Sequence, residues 1–349
     1  LTVQCSCFIR YFLKYNLFHL IINGKIISNC NFSLTLISPK DSYLCPSKHM
    51  NEFREALLIK LSIPIYTVVI GIEILYSYWH QKKYYSAKGL LSNIYLTILN
   101  FSLDILVRGI CLGVLWFFYQ FQFCRIDKMV HPILYWTVLL ISQDFLFYWL
   151  HRVDHYCRLF WAVHVTHHSS EEFNLTVGFR SSVFQPLYRF MYFIPLSLVG
   201  FNPLDVMFMY AATQIYGILI HTKTVGKLGM IEWVMSTPSH HRVHHASNTI
   251  YLDKNMGMVF IIWDRLFGTF AKEEKQEKVV YGLTQNINTN NPVTMVFHEW
   301  KAMGDDLKKD TTFKDKLYYV FGPPGWSHDG SKQTAKQMRD ALNKKDFDK

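Results

Sequence analysis

Among the seven cysteines (Cys5, Cys7, Cys30, Cys45, Cys111, Cys124 and Cys157) no Cys-x-x-Cys pair occurs. Scattered thiols of this kind argue against both a thiolate zinc site and a disulfide framework. There is also no glycine-rich phosphate loop and no G-x-S-x-G elbow, which removes the P-loop nucleotide hydrolases and the α/β-hydrolases. His298-Glu299 opens like a zincin helix, but Ala302 stands where the second histidine must be, so the metalloprotease class is excluded too. Acidic residues are in deficit, leaving a net charge of +10. That charge favours nucleic acid or anionic lipid head groups as the surface the chain meets.

Long apolar runs decide between those two surfaces. Ile63 to Trp79, Ile94 to Phe123, Pro132 to Leu150, Phe184 to Phe201 and Leu204 to Ile220 are each long enough, or nearly so, to cross a hydrocarbon core needing about 20 residues. As buried helices of a soluble domain, five such aromatic-rich runs would overfill the core. The expected fold is therefore all-α, a multipass transmembrane helical bundle, with no nucleic-acid partner. Phe8 to Ile22 is apolar but interrupted by Arg10, Lys14 and His19 and lacks a small-residue cleavage site, so it does not read as a signal peptide. Three regions are expected: an N-terminal segment (1–54), a transmembrane domain (55–270) and a polar C-terminal cytoplasmic segment (271–349), with the tail from Ser327 solvated or partly disordered.

Histidine spacing is the strongest feature. His164-x-x-His167-His168 and His241-x-x-His244-His245 repeat one pattern, and His151-x-x-x-His155 precedes the first. Residues at i, i+3 and i+4 share one helix face, so each triplet gathers its imidazoles into one patch. One such triplet arises by chance roughly 0.03 times in a chain of this histidine content, and two far less often. The remaining histidines, among them His19, His49, His80, His131 and His328, stand alone.

Loop charge orients these clusters. Lys82, Lys83 and Lys88 place the segment from His80 to Asn93 in the cytoplasm by the positive-inside rule. Two crossings later Pro132 to Leu150 delivers His151 to the same side. The next two runs, joined by Phe201-Asn202-Pro203, form a pair of crossings that returns His221 and the last triplet to that side as well. The expected site is a polyhistidine patch where helices leave the bilayer. The stretch from Lys254 to Phe270 is too charged to span and is expected to pack on the site or lie in the interface.

Neutral imidazole suits zinc, copper, iron and nickel. Eight clustered histidines, with His221 and His240 close in sequence, are too many for one ion, which takes at most four protein ligands in a structural zinc site. Two metals use them naturally. Carboxylate-bridged di-iron bundles use Glu-x-x-His pairs, which none of the clusters contains. An all-nitrogen di-iron site is the leading reading, and di-zinc fits the same donors. The metal-ligand candidates are His151, His155, His164, His167, His168, His221, His241, His244 and His245, all but His221 also counted as catalytic. Gln143, Asp144, Asp154, Glu171, Glu172 and Asp253 are candidates for outer-shell support.

The three histidine motifs, in this order and separated by apolar hairpins, resemble the fatty acid hydroxylase and sterol desaturase superfamily of membrane di-iron enzymes. Thr237-Pro238-Ser239-His240-His241-Arg242-Val243-His244-His245, Asp253-Lys254-Asn255, Ile261 to Phe270 and Val279 to Thr284 are similar to the corresponding stretches of the alkylglycerol monooxygenases, as are His164 to Leu175. The resemblance covers residues 55 to 325. It implies an oxygen-using enzyme of the endoplasmic reticulum membrane, with two irons and tetrahydrobiopterin, acting on a lipid in the bilayer and cleaving an O-alkyl ether through a hemiacetal. In that family an acidic residue tied to pterin use follows the second histidine of the first box; here the position is Tyr156. A sister acyl or sterol hydroxylase or desaturase fed by a separate electron carrier is the alternative within the superfamily. A histidine-lined metal transporter or an inactive scaffold is the alternative from another class.

Overall fold

The computed structural model describes residues 48–347 apart from 127–129 and 290. The apolar stretch Phe8 to Ile22 lies outside the described residues. The helices, in chain order, are α1 (Lys48–Trp79), α2 (Ala87–Tyr119), α3 (Pro132–Tyr156), α4 (Arg158–His168), α5 (Ile194–Val199), α6 (Pro203–Leu219), α7 (Pro238–His244), α8 (Ile262–Phe267), α9 (Pro292–Leu307), α10 (Phe313–Phe321) and α11 (Ala335–Phe347). Among the described residues there is no strand, only the isolated bridges Met235–Phe260 and Ala246–Tyr281.

Three helices are long and apolar enough to cross a membrane: α1 over Leu57–Trp79, α2, and α3. Their outer faces leave Leu61, Ile63, Val68, Ile72, Leu106 and Ile110 without protein cover. Such a surface is stable against hydrocarbon and costly against water. Each start is chemically marked. Ser86 accepts from Gly89 N at 3.0 Å to cap α2, and His131 accepts from Ile133 N at 3.3 Å ahead of Pro132 to cap α3.

The five expected crossings become three. Phe184 to Phe201 is not a spanning helix. Pro186 and Pro195 each sit in the first turn of a new element, and the run breaks into 3-10 turns at Gln185–Leu187 and Arg189–Phe193 followed by the six-residue α5. Leu204 to Ile220 is one continuous helix, α6, but its 17 residues extend only about 25 Å, short of a hydrocarbon core of about 30 Å.

The return expected of this hairpin nevertheless occurs. Its tip meets the α2–α3 connection: Phe123 N donates to Leu198 O at 2.8 Å, Asn202 N donates to Tyr135 Oη at 3.2 Å, and Tyr135 Oη donates to Asp205 at 2.8 Å. Helix α6 then climbs back to the opposite end, where α3 delivers His151. The lysine loop lies at that end too. Glu73, near the end of α1, is bonded by Tyr85 within the loop, by Thr222 just after His221 and by Leu175 N just after the first triplet.

Beneath the histidines, Leu115, Leu139, Phe147, Leu150, Phe193, Phe201 and Val206 form the main apolar core between α2, α3, α5 and α6. The C-terminal region closes over the other side. Arg158, first residue of α4, donates to Glu299 at 2.7 Å and Asp306 at 2.8 Å on α9. The tail expected to be solvated contains α11, whose Arg339 donates to Leu252 O at 2.6 Å.

Candidate metal centre

Nine buried or half-buried histidines converge from four elements. His151 and His155 come from the end of α3, His164, His167 and His168 from α4, His221 from just after α6, and His241, His244 and His245 from α7 and its cap. They divide into two sets, His151, His155, His164, His168 and His244 in one and His167, His221, His241 and His245 in the other. Within each set one ring nitrogen per residue lies within 4.8 Å of all the others. The sets abut, with the rings of His168 and His245 stacked 4.4 Å apart.

The orientation of the rings follows from their outer nitrogens. His151 Nδ1 faces Met256 O at 2.8 Å, His244 Nδ1 faces Lys254 O at 2.9 Å, His167 Nδ1 faces Arg180 O at 2.8 Å, and His221 Nδ1 faces Gly217 O at 2.7 Å. A carbonyl only accepts, so each of these Nδ1 atoms carries the proton and each Nε2 presents a lone pair inward. His221 Nε2 then stands 3.4 Å from His167 Nε2, two lone pairs aimed at each other. His155 Nε2 and His244 Nε2 are buried without any partner. Converging, unpartnered nitrogen lone pairs are repulsive alone and favourable around a cation.

Burial holds His164, His168, His221, His241, His244 and His245 well below the ordinary imidazole range, and His167 down to about 4, so these donors are neutral at pH 7. Neutral imidazoles are the form a metal binds.

The carboxylates sort themselves. Asp154 is fully buried, accepts from Tyr188 Oη at 2.7 Å and Gln185 Nε2 at 2.9 Å, and lies 3.8 Å from His164 Nδ1, which also meets Ser182 Oγ at 3.1 Å. Asp253 faces His155. Asp144 touches no histidine. It accepts from Val259 N, Phe260 N and Trp263 Nε1 at 2.9–3.0 Å, fixing the turn that follows the residues whose carbonyls hold His151 and His244. Gln143 is buried, with neither atom of its side-chain amide hydrogen-bonded. Glu172 packs at Gly89, by the start of α2, and Glu171 is exposed. Asp264 completes the strap by accepting from Met256 N at 2.7 Å, Gly257 N at 2.8 Å and Thr269 Oγ1 at 2.6 Å. Lys254 to Phe270 thus packs on the site.

His240 stays outside both sets and accepts from Thr237 N at 3.3 Å as half of a capping box for α7. His80, His131, His298 and His328 also lie outside, with local partners. Sequence reasoning missed Ser182, Gln185 and Tyr188, which no motif marks. It could not have found the orienting backbone carbonyls, because any residue supplies one.

Residues 136–269 match the fatty acid hydroxylase family. The chain is 41% identical over 192 residues to alkylglycerol monooxygenase of Homo sapiens, covering 55% of this chain and 42% of that protein. It is 36% identical over 206 residues to alkylglycerol monooxygenase of Caenorhabditis elegans, covering 55% of this chain and 39% of that one. An ornithine lipid hydroxylase of Rhizobium tropici is 30% identical over 159 residues, 45% of this chain and 48% of that protein. The chain spans less than half the length of each of these relatives. No solved structure matches it.

Proposed function

Starting from a chain that matches the fatty acid hydroxylases over residues 136–269 and is similar to alkylglycerol monooxygenases over 55% of its length, we propose a membrane di-iron monooxygenase that cleaves the O-alkyl ether of alkylglycerols. The observation that carries it is the pairing of two adjacent all-nitrogen donor sets where the span-length helix α3 ends, with α4, the end of α6 and α7 supplying the other rings. His151, His155, His164, His168 and His244 would hold one iron, and His167, His221, His241 and His245 the other. Bound iron supplies the activation of molecular oxygen, and tetrahydrobiopterin the electrons. Hydroxylation at the carbon next to the ether oxygen gives a hemiacetal, which falls apart to a fatty aldehyde and a glycerol derivative.

The protein's share is orientation and exclusion of water. Met256 O, Lys254 O, Arg180 O and Gly217 O fix the tautomers, and the core around Phe147 and Leu150 closes the bilayer side of the rings. An alkyl tail remains in hydrocarbon while its ether carbon reaches the histidine layer. The lysine loop, at the histidine end, supports a cytoplasmic face by the positive-inside rule, and the endoplasmic reticulum is the membrane the resemblance implies. Tags placed at Ser169 and Ser247 reporting opposite sides of the membrane would refute that topology.

The test is release of aldehyde from a labelled alkylglycerol by membranes containing this chain, with and without tetrahydrobiopterin. Pterin-dependent release is expected. Tyr156 favours a second reading, an acyl or sterol hydroxylase with another electron donor, because the acidic residue tied to pterin use is missing. Bound iron with no aldehyde would count against the ether-cleaving reading and favour that one instead.

A further inference from the structure

Between His221 and His240 the chain leaves the histidine layer, turns, and comes back. Its turning segment, Leu228 to Val234, presents Met230 (87% exposed), Ile231, Trp233 (68%) and Val234 outward, beside an equally bare Leu266 (69%). Its polar groups face the other way. Glu232 accepts from Ser239 Oγ at 2.7 Å, Thr237 Oγ1 at 3.0 Å and Leu228 N at 3.0 Å, and Lys227 Nζ donates to Glu273 O at 2.7 Å. This is the reverse of a water-facing loop.

The hydrogen bonds also fix its depth. Val234 O accepts from Ile261 N at 2.9 Å, and Ser236 N donates to Val259 O at 2.8 Å. The neighbouring Val259 N and Phe260 N are held by Asp144 of α3. Asp144 precedes His151 by seven residues, which places it about 10 Å further down the helix, toward the middle of the span. Tyr216 of α6, more than a turn before His221, bonds Ser236 O. The segment therefore stands alongside the embedded part of α3 and α6, below the histidine layer.

We propose that Leu228–Val234, with Leu266, is a foot inserted into the phospholipid leaflet nearest the histidines, its side chains at the boundary of head groups and acyl chains. The occupant of this face is lipid, because it is continuous in depth with spanning helices whose own outer faces are bare and apolar. The chemistry is that of an interfacial anchor. A tryptophan sits at its edge with the exposed Arg265 over the ring at 5.2 Å, and that guanidinium also reaches Glu232 O at 3.2 Å, a cation placed for the head-group level. The foot anchors the third histidine box to the bilayer without a crossing of its own. It concerns the seating of the chain and does not depend on which lipid is the substrate.

The experiment uses the full chain in phosphatidylcholine vesicles carrying bromine at defined acyl positions. The emission difference between the parent and Trp233→Phe isolates Trp233, and Met230→Trp adds a second reporter on a parent background. At least a twofold loss of both signals with bromine near the head-group end of the acyl chain, and little quenching by aqueous iodide, is expected. Quenching by iodide without quenching by bromolipid would place the segment in water and overturn the proposal. Shielding from both quenchers would mean a second copy or another protein covers it, and would overturn it equally.

Discussion

The Asp253 carboxylate stands 3.4 Å from Nδ1 of His155, on a backbone held in the left-handed region at φ 54°. Asn255 is left-handed as well, at φ 56°, a conformation that non-glycine residues rarely adopt. Between and beside them, Lys254 O and Met256 O orient His244 and His151. Four consecutive residues thus set three of the five rings in one donor set. Asn255 anchors the strap by donating to His240 O at 3.1 Å and Ala271 O at 2.8 Å, and Arg339 from α11 lies 3.6 Å from Asp253.

Asp253→Asn keeps the volume and removes the charge that supports His155. Metal affinity is expected to fall about 10–100-fold at the five-histidine set, read by chelator competition on purified protein. An affinity equal to that of the parent would count against the role given to Asp253.

His244→Ala is expected to abolish lipid turnover while lowering protein level only modestly. His298→Ala is the control, since His298 bonds only Met295 O on α9, and it should leave turnover near the parent value. Persistent turnover in the His244 variant would remove the histidine layer from the mechanism.

A Cβ at Gly178 would lie 2.9 Å from Ile218 Cα and 3.1 Å from His221 Nδ1. Backbone at one side and the ring of a candidate ligand at the other leave no room to yield. Gly178→Ala is expected to cost about 1–3 kcal/mol and to empty the four-histidine set selectively, halving metal per chain in elemental analysis. Full stoichiometry in the variant would contradict this.

Asp264→Ala strands Met256 N, Gly257 N and Thr269 Oγ1 in a buried pocket. A loss on the order of 3 kcal/mol is expected, visible as a lower unfolding temperature in detergent, with Asp264→Asn losing less. Equal losses in the two variants would argue against the acceptor role.

How much of this was legible beforehand differs by level. All nine grouped histidines stand in motifs or at the end of an apolar run, because ligand spacing is a local property that helix periodicity converts directly into a shared face. The division into five and four was not legible: His167 joins the set opposite its neighbour His168, and that depends on how α4 rotates against α7. The crossing count failed at Pro186 and Pro195, where composition reads as apolar but the backbone cannot continue a helix. Asp144 misled for a similar reason. One or two turns from His151 along the sequence, it faces the 259–263 turn, which is distant in sequence.

Acid should loosen the metal-free protein. Burial holds both His167 and His240 down to about 4, against about 6.5 for the unfolded chain. Below 6.5 the unfolded state takes up protons that the folded state refuses. The stability these groups contribute is therefore complete above pH 6.5 and is lost as pH falls toward about 4. Chemical denaturation of chelated protein across that window checks it. His240→Gln, which can still accept from Thr237 N, should flatten part of the slope without uncapping α7.

The five-histidine set takes four of its donors from residues 151 to 168 and the fifth from residue 244. During synthesis the chain exposes those four rings, then makes and packs an entire hairpin before His244 exists. Until then the first metal position is an open bowl, and a cation captured there can leave again. Arrival of α7 closes one position and, through His241 and His245, creates the other. With metal bound as proposed, its retention would report that the hairpin has been placed correctly, and the same rings would serve as a late checkpoint on assembly. A nascent chain stopped before residue 238 should exchange its metal freely, whereas one released after residue 245 should trap it.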